Sequence, residues 1–166
     1  MKKAKVLFFV LMIGIPIIIS SCKKNDDNND PVPAVKKKYA WATGKPDSTG
    51  YGMILFSPDA GDTWERQGQG LTAFQGVDFN DIWAVDENNV WVTGSSNTLL
   101  KTTDGGKTWP QVPLSPIVPN IGLGTISIVD KTNIWVLGKV SGGSMVYKST
   151  DNGSTWTVSD TTIFHN

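Results

Sequence analysis

The sequence predicts an all-β fold made of three consecutive antiparallel units of up to four strands each. An eight-residue pattern, Ser/Thr-x-Asp-x-Gly-x-Thr-Trp, occurs three times, and its tryptophans lie 45 and 47 residues apart. A fixed period of that length is typical of repeated sheet units. Short runs rich in Val, Ile, Thr and Trp alternate with turns rich in Gly, Asn, Asp and Ser, and no long helical period interrupts them.

The three copies of the pattern, here named the box segments, span residues 57–64, 102–109 and 149–156. Each aspartate is expected to accept hydrogen bonds from backbone N–H groups that a tight turn leaves unpaired. Each glycine supplies a positive φ, where a Cβ would be strained, and each tryptophan is expected to bury its ring between neighbouring units. These structural roles are assigned to Asp59, Gly61, Trp64, Asp104, Gly106, Trp109, Asp151, Gly153 and Trp156.

The middle unit shows the predicted strand order most clearly, and the third unit repeats it. The first unit lacks an innermost strand, because a polar segment occupies that stretch. The tryptophans at 41, 91 and 135 fall at one register of the second strand. The strands are predicted at 39–44, 53–57 and 63–66, then at 78–85, 90–94, 98–102 and 108–112, and finally at 125–129, 134–138, 145–149 and 155–158.

Four-stranded antiparallel units of this size match the blades of a β-propeller. The box segments resemble the Asp-box of BNR-repeat propellers, and residues 90–109 resemble the photosystem-assembly-factor-like and exo-sialidase-like repeat proteins. The resemblance implies an incomplete propeller over residues 39–166, with blades at about 39–76, 77–119 and 120–166. It implies little about activity, because Asp-box repeats occur in enzymes and in binding proteins alike.

Residues 1–21 predict a lipoprotein signal peptide. Three lysines precede an apolar run over residues 6–19, which is shorter than the roughly 20 residues of a membrane-spanning helix. The run ends in Ile-Ser-Ser-Cys22, which resembles a bacterial lipobox and implies that Cys22 is the lipid attachment point. Residues 22–38 are polar and predict a flexible tether. The resemblance implies an extracytoplasmic lipoprotein of the bacterial outer membrane, held there by its lipid, and the charges after Cys22 resemble surface-export signals.

Composition argues against several classes of function. The chain has 15 basic and 15 acidic residues, and loss of the three signal-peptide lysines leaves 12 basic and 15 acidic residues. Without a clustered basic face, nucleic acid is not an expected partner. The single arginine, Arg66, cannot form the arginine cluster with which a sialidase binds a carboxylate. The single histidine, His165, lies one residue from the end, and no catalytic, cofactor-binding or metal-ligating set is predicted.

Two functions stay open at this point. The first is a membrane-anchored binding or assembly module with a protein or glycan ligand, no cofactor and no enzymatic activity. The alternative is a fragment or remnant of a carbohydrate-active propeller enzyme, sialidase-like or another glycoside hydrolase. Its candidate carboxylates outside the box segments are Asp47, Asp78, Asp81 and Asp86.

The loops opposite the box segments are longer and more varied than the box turns, and loops on a rigid scaffold commonly carry function. They include residues 43–51, 67–76, 95–97, 111–122 and 139–144. The polar residues that could line this side are Lys45, Asp47, Arg66, Gln69 and Lys139. No ligand site is assigned among them from the sequence.

Three blades do not close a ring, since propellers typically have four to eight. The segment Thr161–Phe164 looks like the beginning of another first strand. A homodimer would complete six blades if this segment of each copy paired with the first blade of the other. The competing interpretation is an open arc from a truncated gene.

Overall fold

A computed structural model describes residues 39–68, 71–115, 121–140 and 143–159. These residues form three antiparallel sheets and one short 3-10 helix at Thr72–Phe74, which confirms the predicted all-β class. Cys22, the signal peptide, the tether and the Thr161–Phe164 segment lie outside the described residues. The strands are β1 (Ala40–Gly44), β2 (Met53–Ser57), β3 (Glu65–Gln67), β4 (Phe79–Ala84), β5 (Val90–Gly94), β6 (Thr98–Thr102), β7 (Gly122–Ile128), β8 (Ile134–Val140), β9 (Gly143–Ser149) and β10 (Thr157–Ser159).

The three sheets follow chain order, and we name them blades 1, 2 and 3. Blade 1 has the order β1-β2-β3, blade 2 has β4-β5-β6, and blade 3 has β7-β8-β9-β10. β5 and β8 each pair with a strand on both sides, whereas β1, their counterpart, pairs only with β2. Within the described part of the chain, blade 1 therefore has no innermost strand.

Blade 2 differs from the prediction at residues 108–112, where a fourth strand was expected. Gln111 forms a single bridge with Leu100, and the segment makes two further backbone hydrogen bonds with β6. Pro110 has no N–H to donate, and Pro113 stands just after the bridge. The prolines stop the ladder from extending, so blade 2 ends in a bridge where blade 3 has β10.

The innermost strands β4 and β7 carry a bulge at matching positions. The register with the next strand shifts between Phe79 and Asp81 in blade 2, and between Leu123 and Thr125 in blade 3. Such a bulge leaves one residue of the longer strand unpaired. The match aligns the two blades residue by residue.

The apolar core lies between the blades. Residues alternate in direction along each strand, so every sheet has two faces. We name them the leading face, toward the next blade in the chain, and the trailing face, toward the preceding blade. Blades 1 and 2 enclose Trp41, Ile54, Val77, Phe79, Ile82, Val90, Val92, Leu100 and Trp109. Blades 2 and 3 enclose Trp91, Leu99, Leu114, Ile121, Leu123, Ile126, Ile128, Ile134, Val136, Tyr147 and Trp156.

A search of the described ranges for a helix long and apolar enough to cross a membrane finds none.

Candidate functional site

The box segments are closed by a repeated hydrogen-bond network. In the second segment, the Thr102 hydroxyl donates to Asp104 Oδ1 at 2.7 Å and accepts the N–H of Gly106 at 2.9 Å. Asp104 also accepts the N–H of Thr108 at 3.0 Å and its hydroxyl at 2.6 Å. Both carboxylate oxygens are thus bonded within the turn.

The same bonds recur in the other two box segments. Asp59 and Asp151 accept the N–H groups of Thr63 and Thr155, each at 2.8 Å. The threonine bonds lower the pKa of all three aspartates, to about 2 for Asp104 and Asp151. A general acid needs a raised pKa, so these carboxylates suit turn closure better than acid catalysis.

The box glycines are where consecutive blades approach most closely. A Cβ added at Gly106 would lie 2.8 Å from the ring of Trp41, and one added at Gly153 would lie 2.4 Å from the ring of Trp91. Gly61 differs, because its added Cβ would meet only Trp64 of its own segment, at 3.8 Å. The glycine of one blade therefore covers the second-strand tryptophan of the blade before it.

The box tryptophan of blade 1 also differs from those of blades 2 and 3, in how deeply its ring is buried. Trp109 and Trp156 are buried, and their indole N–H groups donate to the carbonyls of Gly106 and Gly153 at 3.0 and 3.1 Å. Trp64 departs from the sequence prediction and stays half-buried. It belongs to blade 1, and no blade precedes blade 1 among the described residues.

Arg66 and Asp47 form an ion pair on the loop side. Arg66 Nη2 also donates to the carbonyl of Tyr51 at 3.2 Å. Hydrogen bonds from Thr49, together with Arg66, hold the pKa of Asp47 well below its usual range. The only arginine of the chain thus anchors the loop between β1 and β2, and its guanidinium is bonded to that loop.

The other three candidate carboxylates also have partners. Asp78 lies 3.7 Å from Lys45, and Asp86 caps its own turn by accepting the N–H groups of residues 88 and 89. Asp81 accepts the N–H of Ile126 at 3.0 Å across the junction of blades 2 and 3, and its burial raises its pKa. No group of three His, Cys, Asp or Glu side chains within the described ranges could hold a metal ion.

Of the polar residues expected to line the loop side, Lys139 is exposed on β8 and Gln69 lies outside the described residues. The structure brings Asp47 and Arg66 together, and Lys45 contacts Asp78 separately. These side chains bind one another and do not converge on a shared ligand site.

A cleft of about 530 Å³ lies on the loop side where blades 2 and 3 meet. Leu114 and Ile121 form a buried apolar floor, and Ser96 and Gln111 stand exposed at the rim. Asn97 fixes the cleft edge, because its N–H donates to Ile121 O at 2.8 Å and its Oδ1 accepts the Ile121 N–H at 3.1 Å. The lining residues are Ser96, Asn97, Gln111, Val112, Pro113, Leu114, Ile121 and Tyr147. An apolar floor with a few polar groups at the edge is typical of ligand pockets.

A smaller cavity of about 180 Å³ lies at the same blade junction, beside the box turns. Lys101 Nζ stands 4.6 Å from the centre of the Trp91 ring and donates to the carbonyl of Asn152 at 3.4 Å. Burial lowers the pKa of this lysine. The lysine thus links the two blades, so this cavity is a less suitable ligand site than the cleft.

No family model matches the chain, and no curated protein matches it. Solved structures do: YCF48 bound to D1 peptide has a TM-score of 0.58 at 24% identity over 74% of this chain. YCF48 from Cyanidioschyzon merolae has a TM-score of 0.54 at 23% identity over 72% of this chain. The chain has a propeller-like fold. The matches cover 38% and 32% of those two chains, so this chain spans about a third of their length.

Proposed function

We propose that this chain is a lipid-anchored, extracytoplasmic protein of the bacterial outer membrane whose blades bind a protein partner through the loop-side cleft. The observation that carries the binding proposal is the cleft itself. Its buried floor, with Leu114 and Ile121, offers an apolar surface on which a side chain of the partner could pack. Gln111 Nε2 donates to Asn97 O at 3.3 Å, and Asn97 Oδ1 accepts the Ile121 N–H, so Asn97 Nδ2 and Gln111 Oε1 are the amide atoms that offer hydrogen bonds to a peptide backbone.

Two further observations favour a peptide over a glycan. A protein of the same fold, YCF48, is known in a structure bound to D1 peptide. The one aromatic residue lining the cleft, Tyr147, is fully buried and offers no exposed ring on which a sugar could stack. The glycan is therefore the second choice of ligand.

The membrane part of the proposal rests on the sequence, because residues 1–38 lie outside the described residues. The lipobox-like end of the apolar run supports Cys22 as the first residue of the mature chain. Each buried acyl CH₂ contributes about 0.8 kcal/mol, and stable anchoring takes more than one acyl chain. A tether over residues 22–38 would reach roughly 60 Å when fully extended. That length leaves the blades free to meet a partner in the envelope.

A binding role is favoured over the carbohydrate-active alternative by the state of the carboxylates. A glycosidase needs one carboxyl with a raised pKa and a second one facing it across the substrate. In the described part of the chain, burial raises the pKa of Asp81, but Asp81 already bonds the backbone of blade 3. The box carboxylates have lowered pKa values and closed turns. We therefore propose that the chain is not an enzyme.

A second copy of the chain is the other proposed partner. β1 has one unpaired edge in the described sheet, and an added strand could pair with its backbone. Residues 161–164 of a second copy are the proposed added strand, which would bring two chains together as six blades. Deletion of residues 160–166 from the full chain should then halve the mass measured by light scattering. An unchanged mass would refute strand exchange.

The anchor is tested by metabolic labelling with a palmitate analogue. Cys22→Ala should abolish the label, because the thiol is the attachment point. Ser21→Ala keeps a small residue before the cysteine, so this control should retain the label. Equal labelling of the Cys22→Ala chain and the wild type would sink the anchor proposal.

The binding role is tested with an array of peptides drawn from cell-envelope proteins. Gln111→Trp places a large side chain at the cleft mouth and should weaken peptide binding at least tenfold. Thr103→Trp, on an exposed box turn away from the cleft, is the matched control and should bind normally. Peptide binding that survives Gln111→Trp would contradict the cleft assignment. In a separate assay, hydrolysis of aryl glycosides by the wild-type chain would support the enzyme alternative.

A further inference from the structure

The two blade junctions follow one rule. The second-strand tryptophan on each leading face, Trp41 or Trp91, is covered by the box glycine of the next blade, Gly106 or Gly153. As a result Trp41 is 6% exposed and Trp91 is 1% exposed. Any further contact of the same kind needs one uncovered tryptophan and one uncovered glycine.

Blade 3 presents the tryptophan half of such a contact. Its leading face carries Val129, 72% exposed, and Leu137, 38% exposed, beside half-buried Trp135. Lys148 Nζ stands 5.6 Å from the centre of the Trp135 ring, just as Lys101 stands over Trp91 in blade 2. The tryptophan and lysine are therefore arranged as in the covered junction, but no blade covers them among the described residues.

Blade 1 presents the glycine half. Gly61 and Trp64 lie on a box segment whose trailing side contacts no described blade. Ile54 and Phe56 of β2 point toward blade 2, so Leu55 between them points to the trailing face. Its counterpart in blade 2, Leu100, is fully buried at the junction with blade 1.

Polar side chains decide what kind of blade can cover blade 3. On the leading face of blade 2, Asn80 Nδ2 donates to Leu123 O at 2.7 Å, and Thr93 Oγ1 donates to Gly124 O at 3.0 Å. Asp81 accepts the Ile126 N–H at 3.0 Å. All three bonds go to the backbone of β7, the innermost strand of blade 3. They hold an innermost strand in place.

The leading face of blade 3 lacks these three groups. The matching bulges align Asn80 and Asp81 with Gly124 and Thr125, and the register aligns Thr93 with Leu137. Gly124 has only a hydrogen where Asn80 has an amide. Thr125 has a hydroxyl where Asp81 has a carboxylate, and Leu137 has an apolar side chain where Thr93 has a hydroxyl. This face suits a blade without an innermost strand, and blade 1 is such a blade in the part of the chain that the structure describes.

We propose that the leading face of blade 3 packs on the trailing face of blade 1 from a second copy of this chain. Gly61 of one copy then covers Trp135 of the other, repeating the two junctions already present. Two copies make this contact twice about a twofold axis, since each contributes both faces. The inference rests on the proposed homodimer but gives it a different contact from strand exchange, because this contact lies between described blades and does not depend on residues 160–166.

The test co-expresses two full-length copies with different epitope tags and measures co-purification and native mass. The wild-type pair should co-purify at the mass of two chains. Leu137→Asp in both copies, or Leu55→Asp in both copies, should reduce the mass to one chain, because each change puts a charge into both contacts. Thr103→Asp, on an exposed box turn off both faces, is the control and should remain a dimer.

A mixed pair distinguishes this contact from other modes of association. A Leu137→Asp copy together with a Leu55→Asp copy still has one intact contact, so their co-purification should return. The return of pairing also shows that each variant is folded. No rescue in the mixed pair, or a wild-type mass of one chain, would overturn the proposal. Loss of the dimer only on deletion of residues 160–166 would support strand exchange and overturn the face contact.

Discussion

Alanine at the box glycines tests how the blades are joined. Gly153→Ala puts a Cβ 2.4 Å from the Trp91 ring, which is 1% exposed and has no room to swing away. Gly61→Ala meets nothing closer than its own Trp64, at 3.8 Å. Both glycines have positive φ, 84° and 103°, so both variants carry a backbone cost of about 1–2 kcal/mol. Overpacking adds about 1–3 kcal/mol at Gly153 alone.

The two variants should therefore differ by about 1–3 kcal/mol in the free energy of unfolding. At about 4 °C per kcal/mol for a domain of this size, Gly153→Ala should melt about 4–12 °C below Gly61→Ala. Gly106→Ala, with a 2.8 Å contact to Trp41, should fall nearer to Gly153→Ala. Melting is followed by circular dichroism at low chain concentration, where copies stay apart. Equal losses at Gly61 and Gly153 would refute the glycine-on-tryptophan junction.

Three other perturbations have outcomes set by the structure. Trp109→Ala should lower the free energy of unfolding, measured in urea, by about 3–5 kcal/mol. Trp64→Ala should lower it clearly less, because Trp64 is half-buried, and equal losses would contradict the junction. Thr93→Val removes the hydrogen bond to the Gly124 carbonyl at the junction of blades 2 and 3, so the free energy of unfolding should fall by about 1 kcal/mol. Thr93→Ser keeps a hydroxyl and should recover part of that loss. Asp104 and Asp151 have folded pKa values of about 2, below the unfolded value of about 3.9. The two carboxylates therefore stabilise the folded state fully above pH 4, and this stabilisation is lost as the pH falls toward 2. A urea midpoint that stays level from pH 5 to pH 2 would show that these bonds do not stabilise the fold.

Much of the fold could be predicted because its signals are local. The box pattern fixes a turn through side chains that bond within eight residues, and each copy repeats the same bonds. The three blades follow from the spacing of those turns, and the polar segment before residue 39 predicts a first blade without an innermost strand, as the described residues show.

Other features depend on neighbours that a local pattern does not report. Trp64 and Trp109 occupy the same place in the same motif, but among the described residues only Trp109 has a preceding blade to cover it. Asn80, Asp81 and Thr93 look like ordinary strand and turn residues until β7 is placed beside them. The fourth strand of blade 2 follows the repeat in sequence, but the prolines in it interrupt the ladder.

The sequence pointed to the loop side but did not predict the candidate cleft. Its rim residues fall in loops 95–97 and 111–122, which the sequence marks as variable. Tyr147 belongs to the middle of β9 and reaches the cleft only because that strand turns alternate residues toward blade 2. No sequence signal marked this residue.

The central claim is that an anchored, propeller-like module binds a protein partner through this cleft. It is tested most directly in living cells by placing the photoreactive amino acid p-benzoylphenylalanine at Gln111 of the full chain. The account predicts a specific adduct with one envelope protein, found in the membrane fraction, and no such adduct from the same amino acid at Thr103. The same adducts from both positions, or none from Gln111, would contradict the claim.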